Sequence, residues 1–261
     1  MTQLVLSLFP GIGLLDMAFE AEGFTVVRGP DVIWGGDIRR FHPPAGKFDG
    51  VIGGPPCQMF SRLRHLNKSA GQKYGNLIPE FERCVLEASP TWFVMENVPD
   101  APVPLASYGG GPLTDGDYLL HTFVLNNRQC FDDEGRPAVQ DRTRRWTFGS
   151  RGEGRHLNVE TVALHSPFYE QAVTRSSRAV SVKLGGSGKI KRTYTADGKR
   201  HGPGCGPRTR IGDMLKLQGF PDSILNDCPF TDAGKRLAIG NGVPLPMGRA
   251  IARAVKEAIG V

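Results

Sequence analysis

Residues 3–9 form a short apolar run that ends in a turn carrying Gly11 and Gly13 and passes directly into a helical pattern over 14–22, closed by Gly23. A run this short, rich in Val and Leu, reads as a buried strand, and the two glycines make the tight turn into the helix. The unit recurs along the chain. Residues 24–28 read as a second strand and 50–53 as a third, running into Gly-Pro-Pro-Cys. A helix over 76–88 places Leu77, Phe81, Val85 and Leu86 at apolar positions, Pro90 closes it, and 92–95 is the next buried strand. Later strand candidates are 119–125 and 146–149, and a last helix over 246–259 carries Ile251, Ala254, Val255 and Ala258 on one face. Short apolar strands alternating with helices predict an α/β, doubly wound sheet. Ligands bind such sheets at the carboxyl ends of the strands. Residues 9–13, 53–58 and 96–98 all sit at expected strand ends and should converge.

The chain has 261 residues, 39% hydrophobic and 22% charged, which supports a sizeable core and argues against wholesale disorder. No run reaches membrane-span length, and the first basic residue is Arg28, so a secretory leader is not expected. Five cysteines with no Cys-x-x-Cys pair argue against a disulfide framework or a zinc ribbon. His201, Cys205 and Cys228 read as loop residues, and no metal is expected. The net charge of +6 is unevenly spread: residues 151–210 hold 12 Lys and Arg against 4 Asp and Glu, more than the whole chain's excess. Glycines at 185, 186, 188, 198, 202, 204 and 206 interleave with Lys183, Lys189, Lys191, Arg192, Lys199 and Arg200. This segment is expected to be a small irregular, β-rich insert facing a polyanion.

Chemistry concentrates at three places. Phe9-Pro-Gly-Ile-Gly after a strand suits a nucleotide-type loop, since glycine allows close backbone approach and the helix N-terminus favours an anion. Asp31 and Asp37 stand where carboxylates reach cofactor hydroxyls or an adenine amine. In Gly54-Pro55-Pro56-Cys57-Gln58 two prolines stiffen the backbone before a thiol, which is then a candidate nucleophile. Met95-Glu96-Asn97-Val98-Pro99 sets a carboxylate at the next strand end. A Cys beside a Glu over such a loop suggests addition to an electron-poor ring with acid assistance.

These motifs resemble those of the DNA (cytosine-5) methyltransferase family in its compact bacterial or phage type. Residues 9–13 resemble its S-adenosylmethionine loop, Gly36-Asp37-Ile38 its adenine-contacting acidic motif, and 54–58 its catalytic Pro-Cys-Gln motif, followed by Ser61 at the start of a mobile loop. Glu96-Asn97-Val98, the Gln140–Arg144 stretch, Leu217-Gln218-Gly219-Phe220-Pro221 and Gly240-Asn241-Gly242-Val243-Pro244 resemble the later motifs, in family order. Two departures stand out. The stretch from Asp31 to Asp37 is too short for the usual helix, and the aromatic that stacks on adenine is missing beside Asp31, leaving Val32, Ile33 or Trp34 to substitute.

The resemblance implies a Rossmann-like S-adenosylmethionine-dependent methyltransferase fold, a doubly wound mixed sheet with a small irregular target-recognition insert. It also implies a catalytic cofactor-binding domain over 1–150, a recognition region over 151–209 and a segment over 210–261 that completes the catalytic domain. Cys57 would add to cytosine C6, Glu96 would engage N3 and the exocyclic amine, and Arg142 and Arg144 would hold the nucleotide. The cofactor S-adenosylmethionine, leaving as S-adenosylhomocysteine, would contact Phe9, Gly11, Ile12, Gly13, Asp31, Asp37, Ile38, Pro56, Asn241, Gly242 and Val243. Ser61, Arg62, Arg64, Lys189, Lys191 and Arg192 would bind double-stranded DNA, with the target base flipped out of the helix. The role implied is restriction-modification, with a cognate endonuclease acting separately, or phage DNA protection, by a monomer in the cytoplasm of a bacterial cell or infected host. Some relatives with these motifs methylate tRNA, and a catalytically silent DNA binder is disfavoured by the joint presence of Cys57, Glu96, Arg142 and Arg144.

Overall fold

The computed structural model describes residues 2–56, 75–105, 118–151, 155–162, 170–171 and 210–261. In chain order the elements are β1 (Leu4–Leu8), α1 (Leu14–Ala21), β2 (Thr25–Arg28), β3 (Gly50–Gly53), α2 (Ile78–Ala88), β4 (Trp92–Asn97) and β5 (Tyr118–Asn126). They continue with β6 (Gln140–Asp141), β7 (Thr143–Arg151), β8 (Glu170–Gln171), α3 (Ile211–Leu217), α4 (Asp232–Asn241) and α5 (Leu245–Ile259). The strands and helices read from the sequence are present, with ends moved by a few residues. Other features differ: α3, α4 and the two-residue strands β6 and β8 have no counterpart in the sequence reading, short 3-10 turns at Val32–Trp34 and Ile38–Arg40 fill the stretch between β2 and β3, and Leu86 is 38% exposed. Leu86 lies one helical step off the face formed by Ile78, Phe81, Val85 and Ala88, which are buried.

The main sheet has the order β2-β1-β3-β4-β7-β5, with β2, β1, β3 and β4 parallel and β7 antiparallel to β4. The chain moves from β1 outward to β2 and then returns to β3 on the other side. The order therefore reverses between β1 and β3, where Leu8 lies opposite Gly53. A crevice opens at the carboxyl ends of strands at such a reversal.

Alternation along the strands separates two apolar layers. Leu6, Leu8, Val51, Phe93 and Met95 face α2 and pack with Ile78, Phe81, Cys84, Val85 and Ala88. On the opposite face Phe19 of α1 stacks on Trp92, with Phe24 edge-on to it. Two glycines make room for the large rings. Gly50 pairs with Trp92 and Gly149 with Phe93, and at each a Cβ would come within 2.1 Å of its partner's ring. Glu22, at the end of α1, receives Arg249 and Arg253 of α5 at 2.6 and 3.0 Å. No helix among the described residues is long and apolar enough to cross a membrane.

The chain divides into two compact units. The first comprises Met1–Leu125, Thr143–Val159 and Arg249–Val261, and holds the main sheet. The second comprises Asn126–Arg142 and Glu160–Gly248. Within it the buried Gln218 side chain donates to the carbonyl of Ile239, and its backbone carbonyl accepts from the Leu245 amide, fastening the 217–221 segment to the 240–244 segment.

Candidate active site

Three loops leave the carboxyl ends of adjacent strands in the first unit: 9–13 after β1, 54–56 after β3 and 98–101 after β4. Phe9, Gly11 and Gly13 all have left-handed backbone, at φ 56°, 57° and 83°. For a phenylalanine this costs energy, which the surrounding structure must offset, and such strain collects at ligand sites. At Gly11 an added Cβ would meet nothing within 4 Å, so the loop offers open space there. At Gly13 a Cβ would come within 2.3 Å of the Arg28 guanidinium.

That guanidinium belongs to a small network beneath the loop. Asp16, fully buried on the first turn of α1, accepts from the Ser7 hydroxyl and pairs with Arg28 Nε at 2.9 Å. Burial pushes the Asp16 carboxyl above its usual range, against the pull of Ser7 and Arg28.

The 3-10 turn that stands in for a helix clamps the same loop from the other side. Asp31 accepts from the Gly11 amide at 2.9 Å and from the Ile33 amide at 3.0 Å, while Trp34 Nε1 donates to the Gly11 carbonyl at 2.8 Å. Both polar groups of Gly11 are thus held by one short segment. Val32, Ile33 and Trp34 leave large apolar area exposed, Trp34 at 54%. Asp37 accepts from the Arg39 amide at 3.0 Å and starts the second 3-10 turn, on which Ile38 is buried.

At the end of β4, Glu96 is 7% exposed, and its carboxylate meets Arg144 Nε of β7 at 2.6 Å. Arg144 also donates to the Thr143 carbonyl. A Cβ on Gly54 would lie 3.0 Å from Glu96 Oε2, so a larger residue there would press on that carboxylate. Asn97, buried beside it, donates to the Pro55 carbonyl at 3.2 Å and accepts from the Val98 amide at 2.9 Å. It ties the β4 end to the chain two residues before Cys57. Arg145, opposite Asn97 in the β4–β7 register, donates to the Ala101 carbonyl.

Within the first unit the structure therefore brings together Phe9, Gly11, Ile12, Gly13 and Asp31, and beside them Pro56, Glu96 and Arg144 on neighbouring strand ends. Asp37 and Ile38 lie on the 3-10 turn that precedes β3. In the second unit the buried Arg142 donates through Nη2 to the carbonyls of Gly240 and Gly242 at 3.0 and 2.8 Å, which braces the segment containing Asn241, Gly242 and Val243. Cys57, Ser61, Arg62, Arg64, Lys189, Lys191 and Arg192 lie outside the described residues. Sequence reasoning assigned no role to Asn97, Ser7 or Asp16. The adjacency of Asn97 to Glu96 was the available signal for the first, whereas the Ser7–Asp16 bond depends on how α1 docks on β1. Among the described residues no three His, Cys, Asp or Glu side chains gather to hold a metal ion.

Comparison with known proteins points to one family. The family model for C-5 cytosine-specific DNA methylases matches residues 31–102. The Type II methyltransferase M.FnuDI of Fusobacterium nucleatum is 34% identical over 110 residues, 36% of this chain and 32% of that protein. The Type II methyltransferase M.HgiGI of Herpetosiphon aurantiacus is 31% identical over 114 residues, 36% of this chain and 88% of its own length. The chain thus spans about a third of M.FnuDI and most of M.HgiGI. Among solved structures, a prophage-encoded E. coli protein described as a DNA modification methyltransferase superposes with a TM-score of 0.62 at 18% identity, covering 100% of both chains. The sheet with its reversed strand order is accordingly the Rossmann-like fold of methyltransferases, and by the match of its family model and of M.HgiGI the chain belongs to the C-5 cytosine-specific DNA methylase family.

Proposed function

We propose that the protein transfers a methyl group from S-adenosylmethionine to C5 of a cytosine flipped out of double-stranded DNA. The observation that carries the reading is the buried Glu96 carboxylate, gripped by Arg144 and lying over Gly54, with Asn97 holding the chain that leads through Pro55 and Pro56 to Cys57. A carboxylate so placed can engage a ring nitrogen and an exocyclic amine, and the family resemblance gives Cys57 the attack on a ring carbon.

The residues present fit the cofactor. Open space at Gly11, the left-handed run Phe9–Gly11–Gly13 and the exposed Val32, Ile33 and Trp34 offer a cradle with an apolar cover, and Asp31 keeps acceptor capacity beyond its two amide bonds. Ile12, Asp37, Ile38 and Pro56 complete that contact set on the first unit, and the family resemblance implies Asn241, Gly242 and Val243 as further cofactor contacts. When bound, S-adenosylmethionine supplies an electrophilic methyl group. The Cys57 thiolate adds to C6 of cytosine, and the electron pair of the C5–C6 bond makes C5 nucleophilic. Glu96 delivers a proton to N3 as the thiolate adds, accepts from the exocyclic amine, and takes the N3 proton back when Cys57 leaves, so negative charge does not build on the ring. Arg144 keeps Glu96 in register. After methylation a base removes the C5 proton, the pair re-forms the double bond and Cys57 leaves as thiolate. Ser61, Arg62 and Arg64 contact the DNA, and Lys189, Lys191 and Arg192 contact phosphates. A role in restriction-modification or phage DNA protection, by a monomer in the cytoplasm, fits this chemistry.

The test is labelled-methyl transfer to duplex DNA and, in parallel, to tRNA, with 5-fluorocytosine in the duplex as a covalent trap. Incorporation into DNA that Cys57→Ala abolishes, with cofactor binding retained, is the expected result. Incorporation into tRNA alone would transfer the same chemistry to another polymer, and labelling by Cys57→Ala at the normal rate would remove the thiol from the mechanism.

A further inference from the structure

We propose that Arg83 of α2 is a positioning residue for the adenine end of the cofactor site, acting through the 3-10 turn that carries Asp37 and Ile38. This rests on the cofactor reading given above. The stretch from Gly29 to Asp49 contains two 3-10 turns and no longer element among the described residues, so its backbone groups need partners from elsewhere. Arg83 supplies them. Its Nη2 donates to the carbonyl of Ile38 at 2.8 Å and to that of Phe41 at 3.0 Å, so both ends of the turn after Asp37 are held by one nitrogen.

The guanidinium is itself fixed in orientation. Nε donates to Glu80 at 2.9 Å, and Nη1 meets both oxygens of Glu87 at 2.8 Å. His42 Nδ1 lies 3.1 Å from the same Glu87 carboxylate, adding a second stitch between the segment and α2. With its Nε and both terminal nitrogens engaged on three sides, Arg83 acts as a rigid bracket rather than as a mobile surface charge. Beyond the bracket, Ile38 is buried in the same core cluster as Leu77, Ile78, Phe81 and Val85, and the Asp37 carboxylate caps the turn by accepting from the Arg39 amide, with the Arg39 guanidinium 3.6 Å away. The direction of that carboxylate is set by the turn, and the turn is set by Arg83. A lysine, with one compact ammonium, cannot span both carbonyls and both glutamates at once.

The test measures binding of S-adenosylhomocysteine and of its deaminated analogue, in which a carbonyl replaces the adenine amine, to the wild-type chain, Arg83→Lys and Arg83→Met by titration calorimetry. The wild type should prefer the amine-bearing ligand at least tenfold, because Asp37 accepts from that amine. In both variants the preference should collapse to within about twofold, with affinity for S-adenosylhomocysteine down roughly tenfold and the deaminated analogue nearly unaffected. The ratio is independent of the folded fraction, and a general loss of stability would weaken both ligands alike. Retention of the wild-type preference in Arg83→Met, or an equal loss for the two ligands, overturns the proposal. Failure of the wild type to bind S-adenosylhomocysteine at all would instead overturn the cofactor reading, and a wild type that binds both ligands equally would remove Asp37 as the reader of the amine and Arg83 with it.

Discussion

A carboxylate at the end of a central strand can be a core residue or a reacting one, and its neighbours decide which. Among the described residues Glu96 has a single guanidinium partner, sits over a glycine, and is followed by an asparagine that holds the Pro55 carbonyl. Nothing in that set is required to close the sheet, since β4 and β7 are already paired through Trp146 and Arg145. Glu96→Gln keeps the shape and loses the charge and proton-holding capacity. It should lower kcat by about 10²–10³-fold, the scale for one preorganised polar group at a reacting centre, with cofactor binding unchanged. Labelled-methyl transfer under saturating cofactor measures it. Asn97→Ala should act through position alone, releasing the loop before Cys57 and costing up to about 10²-fold in kcat. The identities of these residues were legible in the sequence because the chemistry restricts which side chains serve. Their bonds were not. That Asp31 holds the Gly11 amide, or that Arg142 reaches the carbonyls of Gly240 and Gly242 about a hundred residues away, depends on tertiary geometry to which no local pattern refers.

Elements were readable in proportion to the strength of their periodicity. β1, β3 and β4 are continuous apolar runs, and α1, α2 and α5 have broad buried faces, so pattern alone locates them. Helices α3 and α4 were not anticipated. α3 is short, and α4 carries Gly234 and Gly240, residues that favour turns in a local reading, so its helical state depends on the Thr231 cap and on buried contacts at Arg236 and Ile239. Helix α2 shows how much one element does. Its apolar face builds the core, Arg83 brackets the turn after Asp37, and Glu82 reaches in the opposite sense to accept from the Leu105 amide at 2.7 Å. Burial raises the Glu82 carboxyl above its ordinary value of 4.5, with the Leu105 bond pulling the other way. The folded state therefore binds this proton more tightly than the unfolded chain does. The stability contributed by the protonated form is present in full below 4.5 and is lost as pH rises through the elevated folded value. Glu82→Gln keeps an acceptor for Leu105 and removes the charge. It should be more stable than wild type by ~1 kcal/mol at neutral pH, and the difference should vanish below the unfolded value. Denaturant melts at pH 4 and pH 7.5 check the sign. A gain of equal size at both would assign the effect to packing.

At the scale of the whole molecule, charge is segregated. Residues 151–210 carry an excess of eight positive charges, and the rest of the chain is slightly acidic. A polyanion would therefore be held by one segment, with the remainder contributing little to the long-range field. Not every basic residue has the same standing, because a cation already paired within the fold has no net field to offer. Arg136 illustrates this: it lies 3.0 Å from Asp132 and 2.6 Å from Glu134, so its charge is offset on the spot. Neutralising Lys189, Lys191 and Arg192 together should release three fewer counterions when duplex DNA binds. The slope of log K against log salt should become shallower by roughly 2.7, at about 0.9 per phosphate contact. Arg136→Gln should leave that slope where it was. Fluorescence anisotropy with a labelled duplex from 50 to roughly 200 mM salt resolves a change of this size. An unchanged slope in the triple variant would move the phosphate contacts out of the 151–209 region, and the rest of the chain would then have to hold the duplex by itself.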